Sequence, residues 1–279
     1  ITKRLKQFEN FYKRKIFKMT LKSLIFEILN SSGLEKNDKV LLHSNIKPLY
    51  KYLTNQNYKF EIEDIVDSII EYFNSNGTVI IPAFNFDFCK GASFDSKNTI
   101  SQMGVLSEVF RKKAQNNRSW HPVYSFSIHG NIPNDYLDFK NYDAFGEKSM
   151  FHWLHENNGK IAILDLPDQN SMTFYHYAEQ TFKAKWRYHK KFRADYINFD
   201  RKITNNLETS IFVRKIEKDF QILTDVTGMQ KRLEKKELYK SKIKGSIVGL
   251  RSINARDVMK EVELVIKDNI AEGLLYKKV

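Results

Sequence analysis

The chain has 279 residues and a formal net charge of +13, with 42% hydrophobic and 28% charged residues. That length and composition suit a globular protein of one large domain or two small ones, and they exclude collagen-like and low-complexity chains. No apolar run reaches the roughly eighteen residues of a membrane span, and the single cysteine, Cys89, excludes an internal disulfide framework and a thiolate-built zinc site. Residues 1–20 are basic and lack the apolar stretch of a secretory signal, so we expect a cytoplasmic protein.

Short apolar runs alternate along the first two thirds of the chain with segments of helical periodicity. The runs are bounded by turn residues, which is typical of strands buried on both faces, and the segments between them place apolar residues on one helical face. This alternation predicts a layered α/β fold. The predicted strands are 39–43, 78–83, 124–128 and 160–165, and the predicted helices are 3–18, 21–29, 62–73, 101–113, 149–157 and 173–182.

After Lys183 the pattern changes to exposed alternation of apolar and polar residues. Residues 187–200 and 208–216 have the pattern of strands with one face in solvent, which predicts a C-terminal antiparallel extension. A charged helix at 217–240, a strand at 245–250 and a helix at 257–267 complete the prediction. We expect one domain over 1–279, made of a basic N-terminal helix (1–20), a core (21–182) and a basic C-terminal sub-domain (183–279).

The strongest candidate for chemistry is a histidine with a carboxylate one helical turn away. Thr173, His176 and Glu179 are spaced three residues apart and therefore share a helix face. A carboxylate beside an imidazole fixes its tautomer and raises its basicity, as a general base requires. The alternative is a helix that buries its aromatic residues and merely exposes a polar His–Glu pair.

Two further histidines stand at the ends of predicted strands. Pro122 holds His121 in extended geometry, and Arg118 and Ser119 beside it could bind phosphate oxygens. His43 ends a buried strand, and the turn that follows it offers free backbone amides for an anion. A loop histidine satisfied by the backbone and an ordinary helix cap are the alternatives.

Alternating aromatic and polar residues follow the strand at 78–83. Phe84, Asn85 and Asp87 suit the wall of a ligand site, and they suit an aromatic core equally well. Cys89 is adjacent, but no activating pattern marks it as a nucleophile. His152 and His155 lie three apart on one predicted helix without a third ligand cluster, so we expect no metal. The chain contains no GxGxxG, GxxxxGK[ST] or GxSxG motif.

Six segments resemble, in order and spacing, the aminoglycoside N3-acetyltransferase family, also called antibiotic N-acetyltransferases. Together they extend over about 140 residues, and the resemblance fades after residue 182. The segments are Leu41-Leu-His-Ser-Asn45, Gly77-Thr-Val-Ile-Ile-Pro-Ala-Phe84, Met103-Gly-Val-Leu-Ser-Glu-Val-Phe-Arg111, Arg118-Ser-Trp-His-Pro-Val-Tyr-Ser125, Phe145-Gly-Glu-Lys-Ser149 and Thr173-x-x-His176-x-x-Glu179.

The resemblance implies a three-layer α/β/α sandwich with a mixed central sheet and an acyl-CoA-dependent N-acyltransferase activity. By position it implies His176 as general base with Glu179, and it adds His121 to the catalytic candidates. Coenzyme A binding is implied for His43, Ser44, Asn45, Arg118, Ser119, Ser125, Phe145 and Thr173, and acceptor binding for Phe84, Asn85, Asp87 and Tyr124.

Departures from the family pattern in three segments concern the acceptor. The usual His-Pro-x-His-Ser is here His121-Pro-Val-Tyr124-Ser125, and the second serine of the His-Ser-Ser pattern is here Asn45. The usual Phe-Gly-Glu-Gly-Ser-Pro is here Phe145-Gly-Glu-Lys-Ser-Met150. Acyl transfer from acetyl-CoA or another acyl-CoA by a direct mechanism is expected, with a covalent Cys89 intermediate as the competing mechanism.

The distribution of charge bears on the acceptor. Residues 1–20 carry +6, residues 21–180 carry −4 and residues 181–279 carry +11. A basic tail repels a polycationic aminoglycoside and attracts a diphosphate, so the charge favours a nucleotide-linked amino sugar of surface polysaccharide synthesis. An aminoglycoside acceptor is the alternative, and a non-catalytic protein that binds coenzyme A or nucleic acid is a further one. We expect small-molecule partners and no nucleic acid, with a homo-oligomer left open.

Overall fold

The computed structural model describes residues 19–73, 76–115, 117–137, 142–241 and 249–279. The predicted helix at 3–18 and most of the predicted strand at 245–250 lie outside these residues. Within the described residues the strands are β1 (Lys39–Ser44), β2 (Thr78–Pro82), β3 (Phe94–Asp95), β4 (Phe126–His129), β5 (Lys160–Leu164), β6 (Arg187–Ile197), β7 (Ile203–Arg214), β8 (Ile222–Thr224), β9 (Leu250–Asn254) and β10 (Tyr276–Lys278).

The central sheet has five strands in the order β4-β2-β1-β5-β9. The three inner strands β2, β1 and β5 are parallel, whereas β4 and β9 run antiparallel at the two edges, so the sheet is mixed. The inner strands are buried along nearly their whole length, which explains their continuous apolar sequences.

Helices cover both faces of this sheet and form the two outer layers of a sandwich. Alternate residues of each strand point to opposite faces, so Val40 and Leu42 enter one core while Leu41 enters the other. The first core contacts helices α1 to α4 and the second contacts α5 to α8. These helices are α1 (Leu21–Ser31), α2 (Lys47–Asn55), α3 (Ile62–Phe73), α4 (Val105–Ala114), α5 (Met150–Glu156), α6 (Phe174–Thr181), α7 (Thr227–Lys235) and α8 (Ala255–Lys267). The predicted sandwich is confirmed, and none of the described helices is long and apolar enough to span a membrane.

The C-terminal part is divided between two places in the fold. Strands β6 and β7 form the predicted antiparallel ribbon, and β3 pairs with β6 in parallel. Strand β9 instead joins the edge of the central sheet beside β5, and α8 covers that sheet. The helix predicted at 217–240 is therefore too long, because β8 occupies its start and only α7 is helical. The described part of the chain also contains α2, which the sequence analysis did not predict.

The arrangement of the inner strands creates one edge where functional side chains gather. Strands β1, β2 and β5 all end at this edge, and the segments that follow them lie next to one another. Strand β4 begins at the same edge because it runs antiparallel to β2. In open α/β sheets, ligands bind in crevices at the carboxyl ends of the strands.

Candidate active site

A cleft of about 260 Å³ lies at this edge, between the segment after β2 and the start of α6. Three residues predicted to bind acceptor or coenzyme, Phe84, Tyr124 and Thr173, line it together with His176. The structure thus brings together residues that are up to 92 positions apart in the sequence. The remaining lining residues are Phe86, Met103, Asp168, Gln169, Asn170, Ser171, Met172, Thr224 and Val226.

His176 and Glu179 form the hydrogen-bonded pair that their spacing predicts. Nδ1 of His176 lies 2.8 Å from Oε2 of Glu179, one turn further along α6. An ionised carboxylate only accepts hydrogen bonds, so Nδ1 carries the proton and Nε2 keeps its lone pair. His176 is about one-fifth exposed, and within the described residues its Nε2 makes no hydrogen bond. The free Nε2 has the geometry that a general base needs.

Two residues that the sequence analysis missed hold the carboxylate of Glu179 from the other side. The indole nitrogen of Trp186 donates a hydrogen bond of 2.8 Å to Oε1, and Nε of Arg187 lies 2.7 Å from Oε2. Glu179 is completely buried, and burial acts to raise the pKa of this carboxyl. The charge of Arg187 and the hydrogen bonds outweigh burial, so its pKa lies below the ordinary value.

These surroundings also set the charge state of His176. Burial and the positive charge of Arg187 lower the pKa of the imidazole, and together they outweigh the opposing effect of Glu179. The imidazole is therefore neutral at neutral pH, which is the form that accepts a proton. Arg187, a basic residue of the 183–279 segment, thus helps to keep His176 neutral, although its sequence context did not indicate this role.

Besides the His176–Glu179 pair, here called the dyad, the site contains a wall of aromatic rings. The ring of Tyr124 packs against Phe84 at 4.9 Å, Phe86 at 5.8 Å and Phe145 at 5.0 Å between ring centroids. Phe145 is itself buried and contacts the His176 ring edge-on at 5.7 Å. Phe145 therefore supports both the dyad and the aromatic wall, and its own ring is not among the residues that line the cleft.

His121 does not line the cleft, and both of its ring nitrogens make hydrogen bonds within the protein. Its Nδ1 accepts hydrogen bonds from the backbone amides of Val123 and Tyr124, and Nε2 lies 2.8 Å from the hydroxyl of Thr209. That hydroxyl donates to the carbonyl of Tyr142, so Nε2 is the donor. Burial lowers the pKa of His121 to about 3. Both nitrogens are engaged in a neutral ring, and the catalytic role predicted for His121 stays a prediction.

Arg118, Ser119 and Ser125, expected to bind coenzyme A, are buried and engaged within the protein. The guanidinium of Arg118 donates to the carbonyls of Thr99 and Ala83 and to the hydroxyl of Ser125. The Ser119 hydroxyl accepts from the amide of Phe126. This arrangement joins the β2 exit to the β4 entry, so these three side chains shape the sheet edge, and their predicted contacts with coenzyme A stay predictions.

The segment after β1 reaches the same edge without lining the cleft. His43 is buried, which lowers the pKa of its imidazole to about 3, and its Nε2 has no hydrogen-bond partner within the described chain. Ser44 and Asn45 are half-buried, and the side chain of Asn45 caps the turn by accepting from the amide of Lys47. Their predicted contacts with coenzyme A stay predictions.

Three residues after β2 turn away from the cleft. Asn85 is buried and bonds the carbonyl of Ile100, and Asp87 pairs with Lys90 at the surface. Cys89 is half-buried, and burial raises the pKa of its thiol to about 11. The thiol is protonated at neutral pH, which disfavours the covalent Cys89 mechanism.

Asp168 is a lining residue that the sequence analysis did not select. Its fully buried carboxylate accepts hydrogen bonds from the hydroxyls of Tyr175 and Tyr239 and pairs with Arg251 at 2.9 Å. This cluster joins the β5 exit, α6 and β9. No periodicity marks it because its members come from distant segments.

We predict that Asp168→Ala destabilises the fold by about 3–5 kcal/mol, since it leaves the charge of Arg251 and two buried hydroxyls without their partner. Denaturant unfolding followed by circular dichroism measures the loss. The matched control is Asp135→Ala, because Asp135 is three-quarters exposed and, among the described residues, pairs only with Lys148. Equal stability of the two variants would show that the cluster does not anchor this edge.

In the part of the chain that the structure describes, no group of three or more histidine, cysteine or acidic residues could hold a metal ion. The cleft combines a histidine with a free Nε2, a buried carboxylate and aromatic walls in an α/β/α sandwich. That combination defines an enzyme site suited to removing a proton from a bound nucleophile.

Comparison with known families identifies the class of enzyme. A sequence model of the aminoglycoside 3-N-acetyltransferase family matches residues 41–266, which is most of the chain. The chain belongs to this family, and it is an N-acyltransferase. The family predicted from the six segments is confirmed. The search of curated protein sequences found no match.

Solved structures share the fold at low sequence identity. The aminoglycoside acetyltransferase AAC(3)-IIb has a TM-score of 0.71 at 16% identity, covering 90% of this chain and 97% of that one. The structure described as AAC-IIIb binary with CoASH has a TM-score of 0.69 at 16% identity, covering 90% and 97%. The YokD protein from Bacillus subtilis has a TM-score of 0.67 at 18% identity, covering 89% and 99%.

Proposed function

We propose that this protein transfers an acetyl group from acetyl-CoA to an amino group of an amino sugar, with His176 as the general base. The observation that carries the proposal is the His176–Glu179 pair, with a free Nε2 in the cleft. A family member solved with coenzyme A supports the acyl donor.

The transfer is direct. As the neutral amine nitrogen bonds to the thioester carbonyl carbon, it passes one proton to Nε2 of His176. The carbon–sulfur bond breaks, and the departing thiolate receives the proton, so the products are an amide and free coenzyme A. Holding amine and thioester together in one cleft supplies a further part of the acceleration.

The comparisons favour an aminoglycoside as the acceptor, against the nucleotide-linked sugar that the charge distribution predicts. Structures in the same fold are described as complexes with apramycin and with sisomicin. Family membership supports the same substrate class. We therefore place the aminoglycoside first.

One observation keeps the nucleotide-linked amino sugar as a second candidate. Of the described residues that line the cleft, Asp168 is the only acid, and Arg251 already pairs with it. A site for a polycation requires unpaired carboxylates. The lining therefore offers an aminoglycoside little electrostatic attraction. A nucleotide-linked sugar with one amine and an anionic carrier does not depend on such attraction for binding.

The test is thiol release from acetyl-CoA against two acceptor panels, one of aminoglycosides and one of UDP- and dTDP-linked amino sugars. We expect turnover with at least one panel. Turnover only with aminoglycosides supports the first candidate, and turnover only with nucleotide sugars supports the second. Binding of coenzyme A without turnover in either panel or with simple amines would contradict the proposed function.

A further inference from the structure

Tyr124 stands where the family pattern has a histidine, and it is held rigidly at the cleft. It precedes β4 at the functional edge of the sheet, and three aromatic rings pack around it. Its neighbours Phe84 and Phe86 line the cleft with it. A side chain confined in this way has little freedom left to lose when a ligand binds.

The hydroxyl of Tyr124 is an unused donor. All hydrogen bonds of its neighbours His121 and Ser125 are made within the protein, yet the Tyr124 hydroxyl has no partner among the described residues. Burial of Tyr124 raises the pKa of the phenol to about 12. The hydroxyl therefore keeps its proton throughout the working range of pH and can donate a hydrogen bond.

The position of this hydroxyl relative to the base suits an acyl transfer. The rings of Tyr124 and His176 both pack against Phe145, at 5.0 and 5.7 Å, and both side chains line the same cleft. One phenylalanine thus contacts both rings. The base must reach the attacking nitrogen, whereas an oxyanion donor must reach the carbonyl oxygen, so an acyl transfer needs one group of each kind in the same cleft.

We propose that the Tyr124 hydroxyl donates the hydrogen bond that stabilises the oxyanion formed when the amine attacks the thioester carbonyl. This inference rests on the proposed function and assigns a second catalytic residue to it. The carbonyl oxygen gains negative charge as the carbon–nitrogen bond forms, and it loses that charge when the carbon–sulfur bond breaks. The phenol keeps its proton throughout, so the atom balance of the transfer is unchanged.

The decisive variant is Tyr124→Phe, which keeps the ring packing and removes only the oxygen. We expect kcat to fall by about 10²- to 10³-fold, as for the loss of an oxyanion donor elsewhere, with unchanged KM values for acetyl-CoA and acceptor. The matched control is Tyr50→Phe on α2, a half-exposed tyrosine outside the cleft. Tyr124→His restores a donor and should recover part of the loss. An unchanged kcat, or a raised acceptor KM with unchanged kcat, would overturn the role.

A binding measurement tests the same hydroxyl without turnover. S-carboxymethyl-CoA places a carboxylate where the thioester oxygen develops charge, and calorimetry compares it with coenzyme A itself. We expect Tyr124→Phe to weaken S-carboxymethyl-CoA about ten- to a hundredfold and to leave coenzyme A unaffected. Equal affinity of wild type and variant for the carboxylate overturns the inference even where no acceptor is turned over. Failure of the proposed function shows itself separately, as absence of wild-type turnover.

Discussion

Replacement of His176 by asparagine should lower kcat by about 10²- to 10⁴-fold, the contribution of a positioned general base, while the affinity for coenzyme A stays unchanged. Asparagine retains a polar group near Glu179 and removes the nitrogen that accepts the proton. Steady-state thiol release measures kcat, and calorimetry measures coenzyme A binding. Because the pKa of His176 lies below its ordinary value of 6.5, the wild-type rate should fall only as the pH drops through this lowered pKa.

The matched control for this variant is His129→Asn. His129 ends β4 at the opposite end of the sheet from the cleft, and it is not among the residues that line the cleft. The control should keep wild-type kcat. Undiminished turnover in both His176→Asn and His176→Ala would remove His176 from the role of base.

Glu179→Gln should lower kcat by about 10²- to 10⁴-fold, as loss of the carboxylate does in other histidine-based sites. A glutamine amide can donate to Nδ1 of His176, which places the imidazole proton on Nε2 and abolishes its basicity toward the amine. The charge of Glu179 raises the pKa of His176, so its loss should move the acid limb of the remaining activity to lower pH. A pH profile of kcat measures this shift, which a purely structural defect would not produce.

A second buried glutamate provides a control that distinguishes an effect on catalysis from an effect on stability. Glu261 on α8 is 4% exposed and pairs with Arg232 and Lys236 at 2.8 and 2.6 Å. Glu261→Gln should destabilise the fold and leave kcat unchanged per folded molecule. If Glu179→Gln likewise kept wild-type kcat after correction for the folded fraction, the carboxylate would have only a structural role.

The main elements of the fold could be predicted from the sequence where burial is continuous. Strands β1, β2 and β5 are buried on both faces, and their sequences show this as short apolar runs. The ribbon of β6 and β7 could also be predicted, because one exposed face produces alternation. Helix α2 escaped prediction, although Leu49 and Leu53 lie four residues apart and are both buried.

Spacing within one helix decided which part of the site could be predicted. His176 and Glu179 lie on α6, so their contact depends only on the three-residue spacing. Trp186 and Arg187 follow a turn, and only the path of the chain after α6 places both against Glu179. Local reasoning could not predict the surroundings of His121, because the groups that occupy its nitrogens include Thr209 on β7.

By itself, the sequence determined the α/β class, the family and the contact between His176 and Glu179, because each depends on periodicity or on short motifs that survive without knowledge of contacts. The tertiary structure alone decided which polar groups remain free. Arg118, Ser119, Ser125 and His121 look like ligand contacts in the sequence, yet at the sheet edge they are buried and make hydrogen bonds within the protein. Tyr124 keeps its hydroxyl unbonded at the cleft, since its ring packs against three aromatic rings from two separate segments.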